Sequence, residues 1–235
     1  MNLLYEGKAK KIFQGPEKNQ YIMYFKDDAT AFNGLKKEII ETKGILNLKI
    51  ATHIFQYLEK NGIHSHFVKT LNEREMLVSA VKIIPLEVVI RNITAGNLCK
   101  RLGIPEKQPI EPPLVEFYYK NDVLNDPILT EDHIQMMKIA TKSEVEQIKI
   151  LALKINDLLK SFFAKLNITL ADFKIEFGKD PSGKILLADD ISPDSCRLWD
   201  MKTQEIMDKD RFRKDLGGLT EAYENVLSRI ESENK

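Results

Sequence analysis

Apolar and polar positions alternate most strictly over residues 171–177, where Ala171, Phe173, Ile175 and Phe177 share one face of a predicted strand and Asp172, Lys174 and Glu176 share the other. A turn holding Pro181, Ser182 and Gly183 leads into the run 184–190, so a hairpin is predicted that carries Asp189 or Asp190 towards Glu176. Nearer the start, strand-like runs at 3–5, 12–13 and 20–25 are separated by Gly7 and by Gly15-Pro16, and two short strands are predicted between 66 and 81. Residues 45–61 read as an amphipathic helix with Ile50, Ile54, Phe55 and Leu58 on one stripe and Gly62 as its stop. A longer helix opens at a Ser143-x-x-Glu146 capping box and places Val145, Ile148, Leu151, Ile155, Leu158, Phe162 and Leu166 at helical spacing. A final helix after Gly217-Gly218 carries Leu219, Val226, Leu227 and Ile230. Residues 27–34 read as a polar loop, 105–113 as an irregular proline-rich segment, and Thr130 as the cap of a short helix reaching Ala140.

Pro85 punctuates a long β-rich run from 82 to 91, and the boundary between two lobes, 1–84 and 85–235, is placed there. A chain of 235 residues suits two modest lobes that share a cleft. Its 43% apolar content is enough for a core, and 35 basic residues balance 35 acidic ones. No global field then recruits nucleic acid or an anionic membrane, so phosphate binding must be local. Cys99 and Cys196 are the only cysteines and form no C-x-x-C pair, which fits a reducing cytoplasm and argues against a disulfide framework or zinc. No apolar run approaches membrane-spanning length, and a soluble cytoplasmic protein is expected.

The charged face of 171–177 has two readings. Alternating charges are ordinary on a solvated sheet surface. They also suit Mg²⁺ and phosphate, because hard cations take carboxylate oxygens and share them with nucleotide phosphates. Asp189 ends the apolar run 185–188 and precedes a turn-rich segment bearing Arg197, which shifts the balance to the second reading. Gly7 followed by Lys8, Lys10 and Lys11 between two strands can cradle a polyphosphate, although a basic surface turn is the commoner case and no Walker A spacing occurs. Arg91 at a strand end, followed by Gly96, can grip a phosphate or carboxylate, as can many inert loops. His53 reads as a packing or surface residue, and His64 and His66 alternate at a strand start without a third metal ligand.

Several segments together resemble one family. They are Tyr5-Glu6-Gly7-Lys8-Ala9-Lys10, Ile84-Pro85-Leu86-Glu87-Val88-Val89-Ile90-Arg91-Asn92 with Ala95-Gly96, Asp172-Phe173-Lys174-Ile175-Glu176-Phe177-Gly178, Ser192-Pro193-Asp194 and Arg197-Leu198-Trp199-Asp200, with 208–213 as a tail motif. In that order they resemble the SAICAR synthetases, in the bacterial short form. The resemblance implies an α+β fold of two lobes, with an N-terminal antiparallel sheet similar to a protein-kinase small lobe, a larger C-terminal α+β lobe, and ATP in the cleft. It implies an ATP-dependent C–N ligase of de novo purine biosynthesis. Such a ligase joins L-aspartate to the carboxylate of 5-amino-1-(5-phospho-D-ribosyl)imidazole-4-carboxylate through an acyl phosphate.

Carried over by position, Gly7, Lys8, Ala9 and Lys10 would hold the ATP phosphates, and Lys82, Ile84 and Glu87 on the connector would face adenine. Glu176 and Asp189 would hold Mg²⁺. Arg91, Gly96, Asn97 and Arg197 would grip the ribonucleotide phosphate, while Lys120, Asp172, Lys174 and Asp194 would surround the rest of that substrate. Asp172, Lys174 and Glu176 are the expected catalytic group. Where the family has serine after Ala-Gly, this chain has Asn97, bulkier but still a donor. A homo-oligomer acting on small molecules alone is expected. A kinase-like phosphotransferase would share the lysines and carboxylates, but the chain lacks a Gly-rich loop and an H-R-D segment. A non-catalytic nucleotide-binding module is the other alternative, and Glu176 with Asp189 argues against it.

Overall fold

A computed structural model describes residues 2–31 and 34–233. From the N-terminus come β1 (Leu3–Glu6), β2 (Lys10–Gln14), β3 (Gln20–Phe25), a hairpin of β4 (Asp28–Ala31) and β5 (Lys36–Ile39), helix α1 (Lys43–Lys60), then β6 (Phe67–Thr70) and β7 (Glu75–Ser79). Five of these strands form an antiparallel sheet in the order β1-β2-β3-β7-β6. The chain continues through β8 (Lys82–Ile93), α2 (Asn97–Leu102), β9 (Pro109–Tyr119), β10 (Ile128–Leu129), α3 (Glu131–Met136), α4 (Lys142–Lys165), β11 (Ile168–Lys179), β12 (Ile185–Ala188), β13 (Cys196–Asp200), α5 (Asp210–Arg213) and α6 (Leu219–Glu233). The second sheet runs β10-β9-β8-β11, and both β12 and β13 pair with the remaining edge of β11.

One apolar core spans both sheets, from Met23 and Phe25 through Ile50, Ile54 and Leu58 of α1 to Val88, Phe173 and Phe177, and on to Tyr223 and Ile230 of α6. Each fully buried aliphatic or phenyl side chain in it contributes about 1.5–3 kcal/mol relative to exposure. Helix α4 covers the second sheet with Val145, Ile148, Ala152, Ile155, Leu159 and Phe163, while Leu151 and Leu158 flank that stripe, half-buried. Among the described residues no helix is long and apolar enough to cross a membrane.

Several predicted boundaries move. Pro85 does not end a strand; β8 runs through it, because register slips between the pairs Glu176–Glu87 and Gly178–Ile83 and leaves the proline in a bulge. The first sheet ends at Ser79 and the second begins at Lys82. The predicted polar loop at 27–34 is instead strand over 28–31, since Ala29 and Ala31 bury while Asp28 and Thr30 stay half-exposed; Phe32 and Asn33 lie outside the described residues. The proline-rich segment becomes strand from Pro109, with Pro112 and Pro113 absorbed in a bulge opposite Asn92. Helix α4 is capped two residues earlier than predicted. Thr141 accepts from the Glu144 amide at 3.3 Å while the Glu144 carboxylate accepts from the Thr141 amide at 2.8 Å. The helix capped by Thr130 stops at Met136, before Lys138 turns left-handed at φ 54°.

Candidate active site

Two lateral rows of the second sheet build the site. In one row Asp172 of β11 lies between Arg91 of β8 and Arg197 of β13. Four residues along β11, Glu176 lies between Glu87 of β8 and Ala188, the last residue of β12. Lys174 stands between the rows, where β12 has ended and β13 has not begun, and its amide donates to the Ser195 carbonyl at 2.8 Å. The chain between those strands, 189–195, therefore opens beside Lys174. The face that periodicity marks as charged is not a solvated surface, for Asp172 is 4% exposed and Glu176 2%.

Lys174 Nζ lies 2.8 Å from Glu176 Oε1, 3.0 Å from Glu87 Oε1 and 3.6 Å from Asp189 Oδ2. Burial opposes its charge, yet Glu176, Asp189 and Glu87 outweigh burial and hold the ammonium well above the ordinary lysine range. Lys120 Nζ reaches Glu176 Oε1 at 2.6 Å, and Lys10 pairs with both Asp189 and Asp190. The Asp189 carboxyl is held far below its usual range: burial alone would raise it, and Lys10, Lys174 and Lys120 reverse that.

Two cavities meet at this cluster. The first, of about 330 Å³, lies between the sheets and is lined by the Gly7–Lys10 turn together with Glu87, Lys120, Lys174 and Asp189. The second, of about 360 Å³, takes Arg91, Asp172, Arg197, Asp194, Lys209 and Arg213. Lys8, Glu87 and Lys174 line both.

The second cavity is framed by a chain of alternating charges. Arg101 pairs with Glu116, which accepts from Arg91 Nε at 2.6 Å, and Arg91 Nη1 donates to Asp172 at 2.9 Å. Arg197 Nη1 donates to Asp172 at 2.9 Å and its Nε to Asp210 at 2.9 Å, and Asp210 takes Arg213 at 2.5 Å. Burial opposes the charge on Arg91 and Arg197, but the neighbouring carboxylates, Asp172 and Glu116 for the first and Asp172 and Asp210 for the second, prevail and both stay protonated. Gly96, at φ +59°, lets Arg197 close in: a Cβ there would stand 2.3 Å from Nη2.

Opposite lies a second network. Asp194 accepts from the fully buried Lys43 at 2.7 Å and from the Tyr223 hydroxyl at 2.7 Å, and Lys209 Nζ stands 3.7 Å away. Burial, then Lys43 and Lys209 against it, leave Asp194 well below the usual carboxylate range. Burial lowers Lys209 to about 8, with Asp194 resisting and Lys43, Arg213 and Lys174 assisting.

The sequence-predicted residues thus fall into two groups. Gly7, Lys8, Ala9, Lys10, Glu87, Lys174 and Asp189 gather around the first cavity, joined by Lys120. Arg91, Asp172, Asp194 and Arg197 line the second, with Gly96 behind Arg197 and Asn97 exposed at the start of α2. Glu176, Lys82 and Ile84 line neither cavity: Glu176 is buried against Lys120 and Lys174, the Ile84 side chain is in the core and Lys82 is exposed. Sequence reading assigned no role to Lys43, Tyr223, Glu116, Lys209 or Arg213, and only the last two had a signal, within the motif at 208–213.

Two cation-rich cavities that meet at Lys8 and Lys174, beside paired carboxylates, are the arrangement of an enzyme that brings two anionic ligands together. A family model described as SAICAR synthetase matches residues 3–230. Over 230 residues the chain is 56% identical to the phosphoribosylaminoimidazole-succinocarboxamide synthase of Bartonella tribocorum, covering 97% of this chain and 91% of that one. Among solved structures it is similar to the phosphoribosylaminoimidazole-succinocarboxamide synthase of Ehrlichia chaffeensis, at 48% identity, a TM-score of 0.96 and 98% coverage of both chains. It is also similar to a SAICAR synthetase (Type-2) in complex with ADP, at 47% identity, a TM-score of 0.94 and 97% coverage of both. The chain belongs to the SAICAR synthetase family.

Proposed function

We propose that the protein uses ATP to join the amine of L-aspartate to the carboxylate of 5-amino-1-(5-phospho-D-ribosyl)imidazole-4-carboxylate, releasing ADP and phosphate in purine biosynthesis. The observation that carries this reading is the meeting of the two cavities at Lys8, Glu87 and Lys174. ATP would lie between the sheets, in a cleft like that of a protein kinase, with 1–84 as the nucleotide lobe and 85–235 as the substrate lobe. The Gly7–Lys10 turn would meet its phosphates and the backbone of 82–84 its adenine end, while Glu87, expected on the adenine connector, lies instead at the junction beside Lys174. The ribonucleotide would occupy the second cavity, its phosphate toward Arg91, Arg197, Gly96 and Asn97. Cytoplasmic location and a homo-oligomeric state complete the proposal.

A carboxylate is a poor electrophile, so ATP would first convert it to an acyl phosphate; the Pγ–O bond to ADP breaks as the C–O–P link forms. The amine then attacks the carbonyl carbon, phosphate leaves, and a proton is lost from nitrogen. Bringing two anions into contact demands positioning and neutralised charge more than covalent help. Lys174 and Lys8 are suited to that, and their carboxylate partners keep Lys174 protonated. Among the described residues no three of His, Cys, Asp and Glu converge as a metal cage. Glu176 and Asp189 nevertheless share one cation, the Lys174 ammonium, and two hard oxygens from the protein suit Mg²⁺ completed by phosphate and water. Bound there, Mg²⁺ would neutralise developing charge on the transferred phosphoryl group.

Beyond the Arg91–Asp172–Arg197 row and the junction lysines Lys8 and Lys174, the second cavity is lined by Lys209 and Arg213, and these suit the carboxylates of aspartate. Because Lys209 titrates at about 8, KM for aspartate is expected to rise above that pH, and Lys209→Arg is expected to flatten the rise. A pH series of KM for both enzymes checks it. Arg197→Ala is expected to raise KM for the ribonucleotide by roughly 10–100-fold with a smaller change in kcat, read from steady-state kinetics. The reading as a whole is tested by ADP release that requires both aspartate and the imidazole carboxylate. Phosphate transfer without aspartate consumption would contradict it.

A further inference from the structure

Asp189 needs outside support. It follows the last paired residue of β12 and holds φ at +58°, a left-handed conformation that costs a residue other than glycine roughly 1 kcal/mol. That support comes from His66, 3% exposed, whose Nε2 lies 2.8 Å from the Asp189 carbonyl oxygen. A carbonyl only accepts, so Nε2 carries the proton.

The ring itself is fixed from behind. Phe55 of α1 meets it edge-on, with centroids 5.8 Å apart and planes at 61°, and Phe55 stacks on Phe67 at 5.5 Å. The His66 backbone donates to the Leu187 carbonyl at 2.8 Å and accepts from the Ser79 amide at 2.7 Å, so this one residue ties the end of β7 to β12. The contact joins the core between the sheets to the backbone of a carboxylate in the first cavity, 123 residues away in sequence.

We propose that His66 is a positioning residue: through its hydrogen bond to the Asp189 carbonyl it fixes the backbone that aims the Asp189 carboxylate at a divalent cation carried in with the nucleotide. This rests on the reading in which Glu176 and Asp189 share Mg²⁺. His66 touches neither nucleotide nor metal, so its removal weakens metal-dependent binding and spares the rest.

The test is calorimetric binding of ADP, with Mg²⁺ and with EDTA, to the wild type, His66→Phe and His66→Gln. His66→Phe is expected to weaken ADP binding about 10-fold in Mg²⁺ and less than about 2-fold in EDTA, the size of effect typical of outer-shell partners. His66→Gln, which keeps an N–H donor, is expected to recover most of the loss. Equal weakening in both conditions, no weakening, or a glutamine variant no better than phenylalanine overturns the proposal. Should His66→Phe fail to fold, ¹⁵N-histidine spectra of the wild type decide instead. An Nε2–H tautomer whose signals move with Mg²⁺-ADP but not with ADP in EDTA supports the role, and an Nδ1–H tautomer overturns it. Wild-type ADP binding that is indifferent to Mg²⁺ removes the metal reading itself, whereas Mg²⁺-dependent binding retained in full by His66→Phe removes only the histidine.

Discussion

Glu176→Ala is expected to lower turnover by roughly 10³-fold, equivalent to about 4 kcal/mol of barrier. The side chain is 2% exposed, faces Glu87 across the sheet, and accepts from Lys120 at 2.6 Å and Lys174 at 2.8 Å. Its loss removes one of two carboxylates proposed for Mg²⁺ and also releases Lys120, while Lys174 keeps Glu87 and Asp189. ADP affinity in EDTA is expected to persist or improve, because the Lys120 ammonium is freed to meet phosphate. Single-turnover kinetics paired with metal-free ADP binding separates these effects. Wild-type turnover at saturating Mg²⁺ would remove Glu176 from the chemistry.

Asp172→Ala is expected to act first on stability. One buried carboxylate serves two buried guanidinium groups, and removing it leaves Arg91 and Arg197 facing each other with only Glu116 and Asp210 to balance them. Breaking such a buried arrangement costs about 3–5 kcal/mol, which for a chain of this size lowers Tm by roughly 10 °C. Inorganic phosphate at millimolar concentration is expected to restore part of that loss by supplying the missing anion between the arginines. Calorimetric scans with and without phosphate check both halves. A Tm unchanged by the substitution would mean that the row carries no such strain.

The strands were legible where packing demands were local. Residues 171–177 alternate because one face meets the core, and the turn at 181–183 fixes which residues of β12 come opposite, so Glu176 and Asp189 could be placed near each other in advance. Apolar stripes of α1, α4 and α6 were legible for the same reason. Pro85 sits inside a strand because a bulge accommodates it, and a bulge is set by the partner strand, whose sequence lies about ninety residues away. Thr141 and Ser143 both begin an S/T-x-x-E pattern, and only the backbone shows which pair closes the capping box.

The site was legible as residue types but not as pairings. Lys43 looks like one more charge before an apolar helix, and nothing nearby in sequence shows that it is buried against Asp194, which also accepts from Tyr223. Asp194 comes from the loop after β12 and Tyr223 from α6, so the packing of α1 on α6 brings the three together. His66 is the same case: without a third ligand it carries no metal signal, and its partner is a backbone carbonyl, which has no sequence signature. Lys209 and Arg213 were visible only as part of a motif, because the burial that lowers Lys209 is a property of the folded chain.

The central claim is that the two cavities present ATP and a substrate carboxylate to each other beside Lys174. It is tested most directly with the imidazole carboxylate labelled with ¹⁸O, ATP and aspartate, by measuring the label in the released phosphate. One ¹⁸O atom per phosphate is predicted, since the carboxylate oxygen attacks phosphorus and leaves with it. Product formed with unlabelled phosphate would contradict the account.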